Sequence, residues 1–178
     1  TQPTQQRGLT TTDGITATER QKIEDRVNDS LQSLTPPVQH FMKQSGSSDT
    51  LEVNPEDHVA VREAINVLQD ATAPMERIPE NKAILIDQVM TLLGAYPFGM
   101  RFDHQAMKYK TKSFVAAVKC LPMWAVKTAV EKRIQTPGKE PDAGTFAAEV
   151  RKEVLDFHKK LSILKRVQQT NNGEISHE

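Results

Sequence analysis

Histidine and cysteine are the residues of this chain with the clearest capacity for metal binding or nucleophilic chemistry. The histidines fall in five separate predicted segments, and no two of them stand at a spacing that places both on one helix face or one hairpin. They are His40, His58, His104, His158 and His177. Protein zinc sites bring several such ligands together at short, regular spacings. The distribution of histidines therefore predicts no metal site.

Cys120 is the single cysteine, and it lies next to Leu121 at the end of an apolar predicted helix. A reactive thiol needs a neighbouring base or positive charge that stabilises the thiolate, and no histidine lies close to Cys120 in sequence. One cysteine also excludes an internal disulfide and a cysteine-based zinc cluster. We therefore expect Cys120 to be a buried thiol without a catalytic role.

Motifs that bind phosphates or activate a hydroxyl group are also missing. The sequence contains no glycine-rich phosphate loop, no strand-turn-helix with a nucleophile, and no Glu-x-x-His pair of the kind found in di-iron bundles. The sequence therefore predicts that the protein is not an enzyme and carries no cofactor. An enzyme whose catalytic residues converge only in the fold is the alternative that the sequence leaves open.

A cluster of lysines forms the most informative pattern. Residues 101–139 carry 9 Lys and Arg against 2 Asp and Glu, whereas residues 1–100 carry 8 against 14 and residues 140–178 carry 6 against 7. Within this basic block, Lys108, Lys112 and Lys119 project within about 40° of one another on a helix of about 100° per residue. Tyr109 lies beside Lys108 in sequence.

Three interpretations of these lysines remain open. A lysine stripe next to an accessible tyrosine can follow a phosphate backbone and stack on a base, which favours direct DNA or RNA binding by the predicted helix at 103–120. A solvated helix face is the second interpretation, and docking onto the acidic N-terminal half or an acidic protein is the third. Nucleic-acid binding requires Lys108, Tyr109, Lys112 and Lys119 to be exposed on one surface.

The elements that carry these residues follow a helical period. Apolar residues recur at spacings of three and four, and proline or asparagine stands where helices should begin. The pattern predicts an all-α bundle of about five to seven helices with disordered termini and a long C-terminal helix. Between Ile84 and Leu93 the apolar residues cover most of the helix circumference, which predicts that this helix is the central one.

The chain is expected to divide into five parts. Residues 1–15 form a disordered arm, 16–44 an N-terminal helical segment, 45–53 a linker, 54–169 the main helical domain and 170–178 a disordered tail. The apolar stretches fall far short of the roughly 20 residues that cross a bilayer. Together with the lack of a signal peptide, this indicates a cytoplasmic protein without a membrane partner.

Two apolar features are candidates for a protein interface. Trp124 lies away from the apolar stripe of its own predicted helix, so it either staples that helix to the turn at Tyr96–Phe98 or anchors a partner. The last helix has apolar residues at coiled-coil spacing, including Phe157, Leu161 and Leu164. This seam either projects and binds a partner or a second copy of the chain, or packs on the domain.

The run Cys-Leu-Pro-Met-Trp-Ala-Val at residues 120–126 is followed by Pro141 and by Gly-Thr-Phe-Ala-Ala-Glu-Val at 144–150. This arrangement resembles phage and prophage replication-accessory proteins, including helicase-loader-like ones. The resemblance covers about residues 90–155, consists of helix-start and packing positions, and assigns no functional residue. It implies a phage-type accessory protein linked to DNA replication. Overall the sequence predicts a non-enzymatic adaptor that binds a protein partner, with direct nucleic-acid binding as the alternative.

Overall fold

The computed structural model describes residues 13–44, 54–96, 104–136 and 138–174. Every regular element in this part of the chain is helical, which confirms the prediction of an all-α bundle with a long C-terminal helix. The α-helices are α1 (Asp13–Gln32), α2 (Pro36–Lys43), α3 (Pro55–Ala71), α4 (Asn81–Gly94), α5 (His104–Val118), α6 (Met123–Gln135) and α7 (Ala143–Glu174). A 3-10 turn, Met75–Arg77, lies between α3 and α4.

The ends of α1 and α7 differ from the predicted boundaries. Residues 13–15 and 170–174 are helical, although the sequence predicted disorder there. The rest of the predicted N-terminal arm, the predicted linker at 45–53 and the last four residues of the predicted tail lie outside the described residues.

Proline sets the start of three helices, as the sequence predicted. Pro36 and Pro55 occupy the first turns of α2 and α3, and Pro122 is the residue that caps α6 with an extended backbone. Asn54 has the expected extended conformation before α3, but its side chain makes no capping hydrogen bond. Instead, the backbone N–H of Asp57 donates to the carbonyl of Asn54 at 2.9 Å.

The core is centred on α6 and α7. Helix α7 packs against α3, α5 and α6, and α6 also contacts α1 and α4. Apolar side chains at spacings of three and four along α7 are buried over most of its length. They are Phe146, Val150, Val154, Phe157, Leu161, Leu164 and Val167.

The prediction that α4 is the central helix is wrong. Its neighbours α5, α6 and the 3-10 turn cover one side of it, where Leu85, Val89, Leu92 and Leu93 are buried. On the remaining circumference three large apolar side chains stay exposed, namely Ile84 at 41%, Ile86 at 39% and Met90 at 44%. Helix α4 therefore lies at the edge of the bundle and presents apolar surface to solvent.

Asp142 caps α7, which contributes more buried apolar residues than any other helix in the described part of the chain. Its carboxylate accepts hydrogen bonds from the Thr145 backbone N–H and the Thr145 hydroxyl, both at 2.8 Å. These hydrogen bonds favour the charged form and hold the pKa of the Asp142 carboxyl below its ordinary value of 3.8. The negative charge also lies at the positive end of the α7 dipole.

We predict that Asp142→Ala lowers the melting temperature by a few degrees at pH 7, because α7 loses its capping interaction. A carboxyl with a lowered folded-state pKa stabilises the fold above its unfolded pKa, and this contribution disappears as the pH falls through the lowered value. The difference between wild type and variant should therefore shrink below about pH 4. Thermal melting monitored by circular dichroism measures this difference in melting temperature. The control is the variant Asp87→Ala, because Asp87 is exposed. A difference that is the same at pH 7 and pH 3 would contradict the cap assignment.

Candidate partner-binding surface

Helix α5 presents one basic side to solvent and one apolar side to the core. Lys108 and Lys112 are exposed, Tyr109 is 63% exposed, and on the opposite side Phe114 and Val118 are buried. Within the described residues, neither Lys108 nor Lys112 forms a salt bridge. These three predicted site residues therefore share an accessible surface.

Other cations of the basic block pair with acids of the same chain. Lys119 lies 3.5 Å from Glu76 while remaining 58% exposed, and the Glu76 backbone N–H donates to the Lys119 carbonyl at 3.3 Å. Lys110 forms a salt bridge with Glu140. Part of the block thus docks internally, and for Lys119 the partner belongs to the acidic half of the chain, as one interpretation of the sequence proposed.

The exposed apolar side of α4 lies next to this basic side of α5. The Thr111 hydroxyl contacts the Met90 sulfur at 3.3 Å, and Lys119, directly after α5, pairs with Glu76 of the 3-10 turn that precedes α4, so the two helices run antiparallel. Ile86 lies one turn from Met90 on the same side of α4. We call the surface formed by Ile86, Met90, Lys108 and Lys112 the α4–α5 face, and Tyr109 lies at its outer edge.

Trp124 is buried and does not face a partner, and Phe98 of the turn in the predicted staple lies outside the described residues. Trp124 is 6% exposed, its indole N–H donates to the Ala71 carbonyl at 2.7 Å, and its ring meets Phe157 edge-on at a centroid distance of 5.5 Å. The structure therefore corrects the expectation of a partner-binding tryptophan. A buried indole with a satisfied N–H joins the end of α3 to α6 and α7.

The apolar seam of the C-terminal helix is also core. Phe157 is 6% exposed, Leu161 is 8% exposed and Leu164 is fully buried, all against other helices of the same chain. The interface interpretation of these residues, including a homo-oligomer formed through this seam, is corrected by their burial. Of the two alternatives that the spacing allowed, the seam packs on the domain.

Ion pairs join α7 to its neighbours at the edge of the core. The Arg133 guanidinium binds the Glu149 carboxylate with two nitrogens, one of them at 2.8 Å, and these hydrogen bonds raise the pKa of Arg133. Glu153 accepts from Arg20 at 2.8 Å and from Lys132 at 2.6 Å. Burial lowers the pKa of Arg20, but Glu24 and Glu153 more than offset it, so the pKa is raised overall.

Metal ligands do not cluster in the part of the chain that the structure describes, where no group of three or more His, Cys, Asp or Glu side chains could hold an ion.

Cys120 is exposed, so the expectation of a buried thiol is wrong. The chain leaves α5 at this point, and none of the described helices covers the side chain. None of the described helices is both long and apolar enough to cross a bilayer.

Comparison of the chain with protein-family models, with curated proteins and with solved structures finds no match.

Changing Leu161 to Glu tests the assignment of the seam to the core. We expect loss of about 3 to 5 kcal/mol of stability, and a melting temperature lower by about 10 °C, because a large apolar contact is lost and a carboxylate must be desolvated. The matched control is Leu155→Glu on the same helix, where the side chain is 50% exposed. The control should melt within about 2 °C of wild type. Equal melting of both variants would contradict the assignment.

Proposed function

We propose that this protein is a non-enzymatic adaptor that binds an acidic, amphipathic helical segment of a partner protein through the α4–α5 face. The observation that carries the proposal is the exposure of Ile86 at 39% and Met90 at 44% on α4, where Met90 contacts Thr111, a residue of α5 that adjoins Lys112 in sequence and lies one helical turn from Lys108. Isolated apolar side chains are common on protein surfaces. Two of them one helical turn apart, next to two exposed cations without salt bridges in the described chain, have the composition of a binding site.

The chemistry of the face defines the occupant. Burying a side chain such as Ile86 or Met90 contributes about 1.5 to 3 kcal/mol. A helix that places apolar residues at spacings of three and four can lie along the exposed apolar side of α4. Acidic residues on the flanks of that helix would meet Lys108 and Lys112, which favours rapid association and the correct orientation.

The finer assignment is a cytoplasmic, phage-type accessory protein linked to DNA replication. It rests on the resemblance of residues 90–155 to phage and prophage accessory proteins. That segment includes the end of α4 and all of α5, so the proposed face lies largely within the part of the chain that carries the resemblance.

A display library of random peptides of about four helical turns tests the proposal. Peptides selected on the wild type should be enriched in apolar residues at spacings of three and four and in Asp and Glu. Measured by fluorescence anisotropy, their affinity should fall at least about tenfold for the double variant Ile86→Ser, Met90→Ser, since each tenfold corresponds to about 1.4 kcal/mol.

Val59 and Leu155 supply a matched control, because they are 65% and 50% exposed on α3 and α7. The double variant Val59→Ser, Leu155→Ser should bind the selected peptides as the wild type does. Selection that yields no acidic amphipathic sequences, or peptides that bind the α4 variant and the wild type equally, would remove the proposal.

Direct nucleic-acid binding by the same region is the second candidate, and the 63% exposure of Tyr109 favours it. A tyrosine ring beside exposed lysines can stack on a base while the lysines contact phosphates. This arrangement suits a single strand, whose bases are accessible for stacking.

We predict for this candidate that a fluorescent oligothymidylate binds at about 50 mM salt and that binding weakens steeply as salt rises. Tyr109→Ala should weaken binding without changing the salt dependence, whereas Lys108→Gln with Lys112→Gln should lower the slope of log affinity against log salt by about 1.4. Anisotropy titrations at several salt concentrations measure both. Absence of binding by the wild type would exclude the candidate.

A further inference from the structure

Helix α7 carries a second basic surface that residue counts along the sequence do not reveal. Residues 140–178 have 6 Lys and Arg against 7 Asp and Glu, which suggests no charge preference. In the structure, however, the exposed residues of α7 between 151 and 166 include five Lys and Arg and one acid, Asp156. This α7 outer face consists of Arg151, Lys152, Leu155, His158, Lys159, Ser162, Lys165 and Arg166.

The acids of α7 are held away from this face by other residues. Glu149 binds Arg133 of α6, and Glu153, only 12% exposed, binds Arg20 of α1 and Lys132 of α6. Asp156 lies at the edge of the face and pairs with Lys160 at 2.7 Å. The inward acids thus neutralise cations of neighbouring helices and leave the cations of α7 itself on the outside.

Four of those cations form an array along the exposed side of α7 that covers about 140° of its circumference. Arg151, Lys152, Lys159 and Lys165 are exposed, and none of them forms a salt bridge within the described residues. At about 1.5 Å per residue the array extends over about 21 Å of helix. Because the opposite side of α7 is buried in the core, the charges are held along one rigid axis.

The composition of the face distinguishes among polyanionic and protein partners. Protein interfaces depend on buried apolar or aromatic anchors, and Leu155 is the one large apolar residue here. Binding to single-stranded nucleic acid relies on aromatic stacking, but both phenylalanines of α7, Phe146 and Phe157, are buried. A helix that inserts into a membrane surface needs an exposed apolar face. The apolar face of α7 is buried in the core, so α7 does not have the composition of such a helix.

We propose that the α7 outer face binds the phosphate backbone of double-stranded DNA without sequence preference. Duplex DNA presents phosphates at high density along a rigid axis, which suits a rigid row of cations that lacks stacking groups. Arg151, Lys159 and Lys165 contact phosphates in this proposal. Lys152 supplies the fourth contact: it lies beside a cleft of about 380 Å³ between α6 and α7, whose other cations, Lys132 and Arg133, are already paired with Glu153 and Glu149.

A fluorescent duplex of about 20 base pairs, titrated with the full chain at several salt concentrations, tests the proposal. Four phosphate contacts predict a slope of log affinity against log salt between about −3 and −4. The triple variant Arg151→Gln, Lys159→Gln, Lys165→Gln should bind at least about tenfold more weakly at 50 mM salt, with a slope near about −1. Two duplexes of different sequence should give the same result.

Charge-matched controls separate this surface from the rest of the molecule. Lys22, Arg62 and Lys82 are exposed on three other helices, and changing all three to Gln removes the same charge from the chain. This control should retain the wild-type slope. The inference does not rest on the proposed function, because the α7 outer face and the α4–α5 face share no residue. The triple α7 variant should therefore keep its affinity for peptides selected on the α4–α5 face.

Several outcomes would overturn the inference. They are no duplex binding by the wild type at about 50 mM salt, equal weakening by the control variant, and loss of binding only when Lys108 and Lys112 are changed. A fourth is binding to phosphatidylserine vesicles that depends on the three α7 cations, without binding to the duplex, which would assign the face to an anionic membrane surface.

Discussion

The burial of one indole ring constrains how the bundle is assembled. Trp124 must place its N–H against an acceptor once it leaves water, and it does so at the Ala71 carbonyl, 2.7 Å away at the end of α3. Its ring at the same time rests edge-on against Phe157 of α7. Helix α3 is therefore fixed at a single buried point relative to α6 and α7, which lie far from it in sequence and form the centre of the core.

This central position of α6 and α7 determines which side chains remain at the surface. Acids at the edge of α7 meet cations of α1 and α6, since Glu153 binds both Arg20 and Lys132. In the described part of the helix, the cations on the outer side of α7 then have one acidic neighbour, Asp156, which lies at the edge of their face and pairs with Lys160. Helix α4, packed on one side only, keeps Ile86 and Met90 exposed. Both proposed binding surfaces thus arise from the same packing arrangement.

Local features of the fold were predictable from the sequence, whereas its long-range relations were not. Apolar spacing and prolines indicated the helices and nearly all of their boundaries, because these signals act within a few residues. Apolar periodicity does not say how many neighbours a helix has, so α4 was taken as the centre although it lies at the edge. The same limit applies to Phe157 and Leu161, whose spacing fits a partner interface and a core equally well.

The charge of a helix surface was likewise not predictable from the sequence alone. A count along α7 treats Glu149 and Glu153 as neutralising Arg151 and Lys152, their neighbours in sequence, but on a helix those residues point in different directions. The actual partners of the acids are Arg133, Arg20 and Lys132, and Arg20 is separated from Glu153 by 133 positions. Since the field at a surface depends on which charges remain outside after packing, a nearly neutral segment can present a strongly basic face. A chain with an apolar and basic face on α4 and α5 and a mainly cationic face on α7 has the chemistry to hold a protein segment at one site and a DNA backbone at another.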